Sequence, residues 1–235
     1  SEAADISVSK VDELLKEFQK EHGFTDEDMD GLKNDDLEQI VPIFAFSSKS
    51  YVTDICRLAL ANIERFVTSD FYIDRIKHIS QLEYRCLAGQ KLEGDLDIIV
   101  GFASVGEQTA IVDIANGFSH SNISNLGIEV YDAIGEFTNC ISGLFATAIS
   151  KKGSMLEITP QFAYENQFAK GDAYVLPIHI HDSEVLLFIS ASDETKAGDM
   201  PVVRKIMAKA GGEVTLDSKG TVVIVDDSGM SRKIL

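Results

Sequence analysis

Between Gly127 and Gly153 the chain keeps one helical pattern without a break, and the two faces of that pattern constrain everything around it. Val130, Ile134, Phe137, Ile141, Leu144, Phe145 and Ala148 recur at helical spacing and predict a continuous face packed on a large core. At about 100° per residue, Glu136, Asn139 and Gly143 all fall within about 40° of Asp132 on the other side. Asn and Gly are weak helix formers, so an exposed stripe carrying both costs helix stability. That cost predicts a surface that something approaches closely, the alternative being an ordinary solvated face.

A rod so apolar on one side needs a partner layer, and the rest of the chain offers one. Tyr51, Ile55, Leu58, Ala59, Ile63 and Phe66 predict a second long helix over 50–68. Strand-like stretches follow at 73–80, at 83–104 with a break at Gly94, and at 107–115. Two more lie at 155–163 and 173–191, the latter turning at Asp182-Ser183. In it Leu176, Ile178 and Ile180 alternate with Pro177, His179 and His181, as in an antiparallel sheet covered on one face. The expected fold is α+β, with two long helices packed on one face of an antiparallel sheet. No regular βαβ alternation and no Gly-x-Gly-x-x-Gly is present, which argues against a dinucleotide fold.

The organisation expected is an acidic helical extension at 1–40, a folded domain at 41–193, a glycine-rich linker at 194–220 and a further fragment at 221–235. Residues 1–40 hold 13 acids against four lysines. Val8, Val11, Leu15 and Phe18, with a start at Ser9 and Asp12, predict a first helix ending at Gly23, and Thr25 could begin a second. The run from Asp26 to Gly31 resembles a calcium loop, but Lys33 and Leu37 stand where an apolar residue and the closing Glu are needed, so it reads as an acidic turn.

The net charge of −17 disfavours nucleic acid and anionic membranes as partners, since both draw on clustered Lys and Arg. Cys56, Cys86 and Cys140 are too few and too scattered for a zinc site or a disulfide framework, and they read as reduced thiols of a cytoplasmic protein, Cys140 packing at the core's edge. His179, His181 and Asp182 invite a metal, but the sequence places no third ligand, so they read as a wet strand face.

The spacing Asp132-x-x-x-Glu136-x-x-Asn139, with Gly143 and a later Pro160, resembles the signature of the CheC/CheX/FliY phosphatases, which act on the aspartyl phosphate of CheY-type response regulators. The order of elements over about 45–192 is similar to the CheX branch, and the first long helix lacks a Glu-x-x-Asn, as a single-site CheX-like chain would. The resemblance implies a hydrolase in which Asn139 orients water and Glu136 pairs with the receiver's active-site Lys. Asp132, Gly143 and Pro160 would support the site or the partner contact. It implies no cofactor of the chain's own, Mg²⁺ being held by the receiver. It also implies a homodimer paired through sheet edges, for which 83–104 and 173–191 are long enough. The Asn139-to-Pro160 spacing is shorter than the family pattern, and the alternative is a non-catalytic module that binds its own or another receiver or dimerises. The resemblance implies two-component signalling, in chemotaxis or in another such circuit. Finally, Val222-Val-Ile-Val-Asp226-Asp227-Ser resembles the first strand and Mg²⁺-binding acids of a receiver, so 221–235 reads as a truncated start of one.

Overall fold

A computed structural model describes residues 16–17, 19–20, 24–33, 41, 44–45, 47 and 49–202. One compact unit spans Ser1–Val202, and Val203–Leu235 is a second unit outside the described residues. Of the helix expected over 8–18 only residues 16–17 are described, and they are helical, while the acids Asp226 and Asp227 lie outside the described residues.

The acidic stretch after Thr25 is a helix, α1 (Asp26–Lys33), and not a turn. Thr25 Oγ1 accepts from the Asp28 N–H at 3.1 Å while the Asp28 carboxylate accepts from the Thr25 N–H at 2.7 Å. This reciprocal cap, with three acids in the first turn facing the helix's positive end, makes helix the cheaper conformation. A helical backbone there cannot form a calcium loop.

Among the described residues the further helices are α2 (Ser50–Phe66), α3 (Thr109–Ser119) and α4 (Ile128–Ser150). The strands are β1 (Phe71–Ile73), β2 (Lys77–Gly94), β3 (Ile98–Ser104), β4 (Leu156–Ile158), β5 (Phe162–Ile180) and β6 (Ser183–Ser190). The α+β architecture stands, with one correction. Residues 107–115, expected to be a strand, form most of α3. The β-branched residues Ile111, Val112 and Ile114 suggest a strand, but Ala110, Ile111, Ile114 and Ala115 bury together at helical spacing, and that packing outweighs propensity.

The sheet order is β1-β5-β6-β3-β2-β4, every pair antiparallel, and β2 also pairs with β5 from Lys77↔Val175 to Gly89↔Phe162. That extra ladder joins the run β5-β6-β3-β2 back onto itself. Its residues alternate between two cores. Val100, Phe102, Leu176, Ile178, Val185 and Leu187 face α2, α3 and α4 in the main core. Tyr84, Leu87, Ile99, Ala103, Val175 and Phe188 form a smaller second core on the other face. Residues 194–202, read from sequence as the start of a linker, contribute Ala197 to that second core, and Lys196 bridges to Lys170. Phe137 and Phe145 anchor α4 in the main core fully buried, each contributing roughly 2 kcal/mol of hydrophobic burial. Among the described residues no helix is long and apolar enough to cross a membrane.

Candidate functional site

Helix α4 begins at extended Gly127 and runs for 23 residues, so its stripe of polar residues is presented on a rigid rod. Asp132 and Glu136 are exposed, while Asn139 and Gly143 are half-buried. The sequence-derived stripe is therefore at the surface, on the side that the core leaves open. Two other expectations for this helix fail. Cys140 is exposed rather than packed at the core's edge, and Leu144 and Ala148 are exposed rather than buried. Thr138 and Ser142 take their place inside. Thr138 can be buried because its Oγ1 donates to the Ile134 carbonyl at 2.8 Å, which leaves no unpaired hydroxyl.

The segment joining β4 to β5 supplies the second half of the site. Thr159 continues the β4–β2 ladder, its N–H donating to the Lys91 carbonyl at 2.9 Å. Pro160 is exposed, and its two neighbours each reach a member of the α4 pair. Gln161 Nε2 donates to Glu136 Oε1 at 2.7 Å. Thr159 works through Gln90 of β2: Gln90 Nε2 donates to the Thr159 carbonyl and to Asn139 Oδ1, both at 3.3 Å. A carbonyl can only accept, so Gln90 must turn its NH2 toward Thr159, and Asn139 must then present oxygen to the same group. The Asn139 Nδ2 consequently points away from the core side. Gly135 makes room for this arrangement, because a Cβ there would collide with the Gln161 side chain lying across the helix.

Sequence reasoning placed Glu136, Asn139, Asp132, Gly143 and Pro160, and the structure gathers Glu136 and Asn139 with the segment around Pro160. It missed Gln90, Thr159, Gln161 and Gly135. The one available signal was that Thr159 and Gln161 flank Pro160. Beside Glu136 lies a shallow groove of ≈ 500 Å³, formed by the end of α3, the following loop and the first turns of α4. Glu129, Asp132 and Glu136 line it together with Phe118, Ser121 and Ile123. Acids on one wall and apolar groups on the other suit a cationic side chain with an aliphatic stem. Tyr131, one residue before Asp132, is pushed well above the usual phenol range by burial and by its 2.6 Å hydrogen bond to Glu165 of β5, so it stays a neutral strut.

No family model matches the chain, and no curated protein matches it in sequence. Solved structures do match in fold. The chemotaxis protein CheX from Desulfovibrio desulfuricans aligns with a TM-score of 0.51 at 11% identity, covering 60% of this chain and 98% of that one. A CheC-like superfamily protein from Shewanella sp. PV-4 aligns with a TM-score of 0.51 at 14% identity, covering 61% of this chain and 97% of that one. The chain thus has a CheX-like fold, embedded in a longer polypeptide.

Proposed function

We propose that this domain is a phosphatase of CheY-type receiver domains. The observation that carries the reading is the pairing of Glu136 and Asn139 on one exposed helix face, each held by a separate glutamine. An aspartyl phosphate is a mixed anhydride already bound to Mg²⁺ in the receiver, so what remains is to place water in line with phosphorus. One lone pair of Asn139 Oδ1 accepts from Gln90, and the other accepts a proton of the attacking water. Nδ2 donates to a phosphoryl oxygen. Water oxygen bonds to phosphorus as the P–O bond to the receiver aspartate breaks, and the water proton leaves with inorganic phosphate. Glu136 keeps Oε1 on Gln161 and offers Oε2 to the receiver's active-site Lys as a charge-assisted contact. Asp132 on the groove's rim draws the same cation, and the open face at Gly143 lets the partner's backbone come near. The partner is a phosphorylated receiver, in trans or fused beyond residue 220, and the chain supplies no cofactor of its own.

The test is to phosphorylate a CheY-type receiver with acetyl phosphate and follow phosphate release with and without the domain. Acceleration that is lost in Asn139→Ala and Glu136→Ala, with melting temperature retained, supports catalysis. Stable receiver binding without acceleration reduces the domain to a docking module.

A further inference from the structure

His179 stands at the centre of a cluster that the proposed chemistry does not use. It lies on the β5 face opposite Leu176, Ile178 and Ile180, away from the helix layer. Its strand neighbour His181 turns to Asp113, with 3.2 Å between Nδ1 and Oδ2, and takes no part. The fold instead brings two carboxylates, one from β6 and one from the segment after β1. The β5–β6 register sets Glu184 directly opposite His179, and the β1–β5 register sets Tyr72 opposite it, with Asp74 just past the end of β1. His179 Nε2 lies 3.1 Å from Asp74 Oδ2 and 3.7 Å from Glu184 Oε2. The three ligand atoms all fall within 4.8 Å of one another.

We propose that Asp74, His179 and Glu184 form a binding site for a divalent transition-metal ion, with Zn²⁺ as the best-fitting cation. Four tetrahedral bonds of about 2.1 Å place neighbouring donor atoms about 3.4 Å apart, and the two measured separations straddle that value. The imidazole is already oriented: it stacks on the Tyr72 ring with centroids 4.4 Å apart and planes 6° from parallel. Only the two exposed carboxylates need to rotate. One Nε2–H can serve a single acceptor well, and at 3.7 Å Glu184 is beyond hydrogen-bond reach, so the cluster without metal leaves one carboxylate poorly matched. A cation bonds all three at once and neutralises like charges in a chain of net charge −17. One imidazole with two carboxylates suits Zn²⁺, Mn²⁺ or Co²⁺, whereas Mg²⁺ prefers an all-oxygen octahedron with retained waters. The bound ion would tie the short edge strand β1 to the β5–β6 hairpin.

Titration calorimetry on the chelator-stripped full chain tests this. The expected result is one saturable Zn²⁺ site, no comparable site for Mg²⁺, and a melting temperature that rises with Zn²⁺. Asp74→Asn, Glu184→Gln and His179→Phe, the last keeping a ring on Tyr72, should each weaken Zn²⁺ binding about tenfold or more while leaving the metal-free melting temperature unchanged. Co²⁺ should give only the weak visible bands of oxygen and nitrogen ligands. The proposal is overturned by wild-type binding no tighter than millimolar, by affinity that persists in the Glu184→Gln and Asp74→Asn variants, or by a thiolate charge-transfer band pointing to Cys140.

Discussion

Asn139 does not orient its own amide. Its side chain could turn either way in the open face of α4, and Gln90, only 3% exposed, selects one orientation from beneath. Gln90→Met keeps the volume and removes both donors, so Asn139 becomes free to flip. We expect phosphate release to slow about tenfold, the equivalent of one lost hydrogen bond, with receiver affinity unchanged. Stopped-flow decay of the phosphoreceiver set against a binding isotherm separates the two, and an equal loss in both would mean that Gln90 only supports the fold. Gly135 makes the complementary case for Glu136. Gly135→Ala drives the flexible Gln161 tip off the helix while adding a better helix former worth about 1 kcal/mol. Melting temperature should hold or rise, yet receiver affinity should fall about threefold to tenfold as Glu136 loses its donor. A variant that binds as wild type does would detach Gln161 from docking. Glu136 and Asn139 were legible in the sequence because i and i+3 on one helix share a face whatever surrounds them. Gln90 and Gln161 were not, since only the β2–β4 ladder brings these distant positions to α4.

At the scale of the element, the length and outward face of α4 could be read directly, and its inner face only approximately. The apolar pattern places Leu144 and Ala148 inside, whereas the structure buries Thr138 and Ser142 and leaves Leu144 and Ala148 exposed. Hydrophobicity is blind to a small polar residue such as Thr138, whose hydroxyl bonds within its own turn. The consequence is measurable in adjacent positions. Leu144 is 49% exposed and Phe145 1% exposed. Leu144→Ser should change stability by no more than about 0.5 kcal/mol, whereas Phe145→Ala should cost about 3–5 kcal/mol in urea unfolding. Similar costs for the two would restore the sequence-based face. The strand-like pattern of α3 has a related origin: propensity favours a strand for its β-branched run, while the burial of Ala110, Ile111, Ile114 and Ala115 follows a 3.6-residue period.

Across the whole molecule, the two strand regions that the sequence offered as open edges are already paired. β2 bonds to β3, β4 and β5, and β5 bonds to β1, β2 and β6, so among the described strands the free edges are the three-residue β1 and β4 together with one side of Lys77–Arg85 in β2 and of Phe162–Ala169 in β5. Of these, β1 and β4 are too short to invite edge-to-edge pairing. Sequence could supply the strands and their alternation but not the β2–β5 closure, because register across 80 or so residues is decided by which pairings leave both faces covered.

Folding also buries groups that must stay protonated, and this makes the fold sensitive to base. Burial pushes the Cys56 and Cys86 thiols from an ordinary 9.0 up to about 12, and the Tyr51 phenol from 10.0 up to about 12. Burial raises Tyr84 further, with Tyr164 and Asp199 adding to the shift. In every case the folded state holds the proton more tightly than the unfolded chain does. The stabilisation is therefore complete below the unfolded values and is lost as pH climbs from about 9 toward 12. Each fully buried thiol contributes a loss on the order of 1 kcal/mol per pH unit across that window, and the phenols join above about 10. The urea midpoint should be level up to about pH 9 and then fall steeply. Cys56→Ala starts from lower stability because it opens a cavity, but its midpoint should decline with a shallower slope between pH 9 and 10. A midpoint that stays level to pH 11, or a slope unaltered by removing Cys56, would mean that the buried thiols can ionise in place and that the interior is open to water.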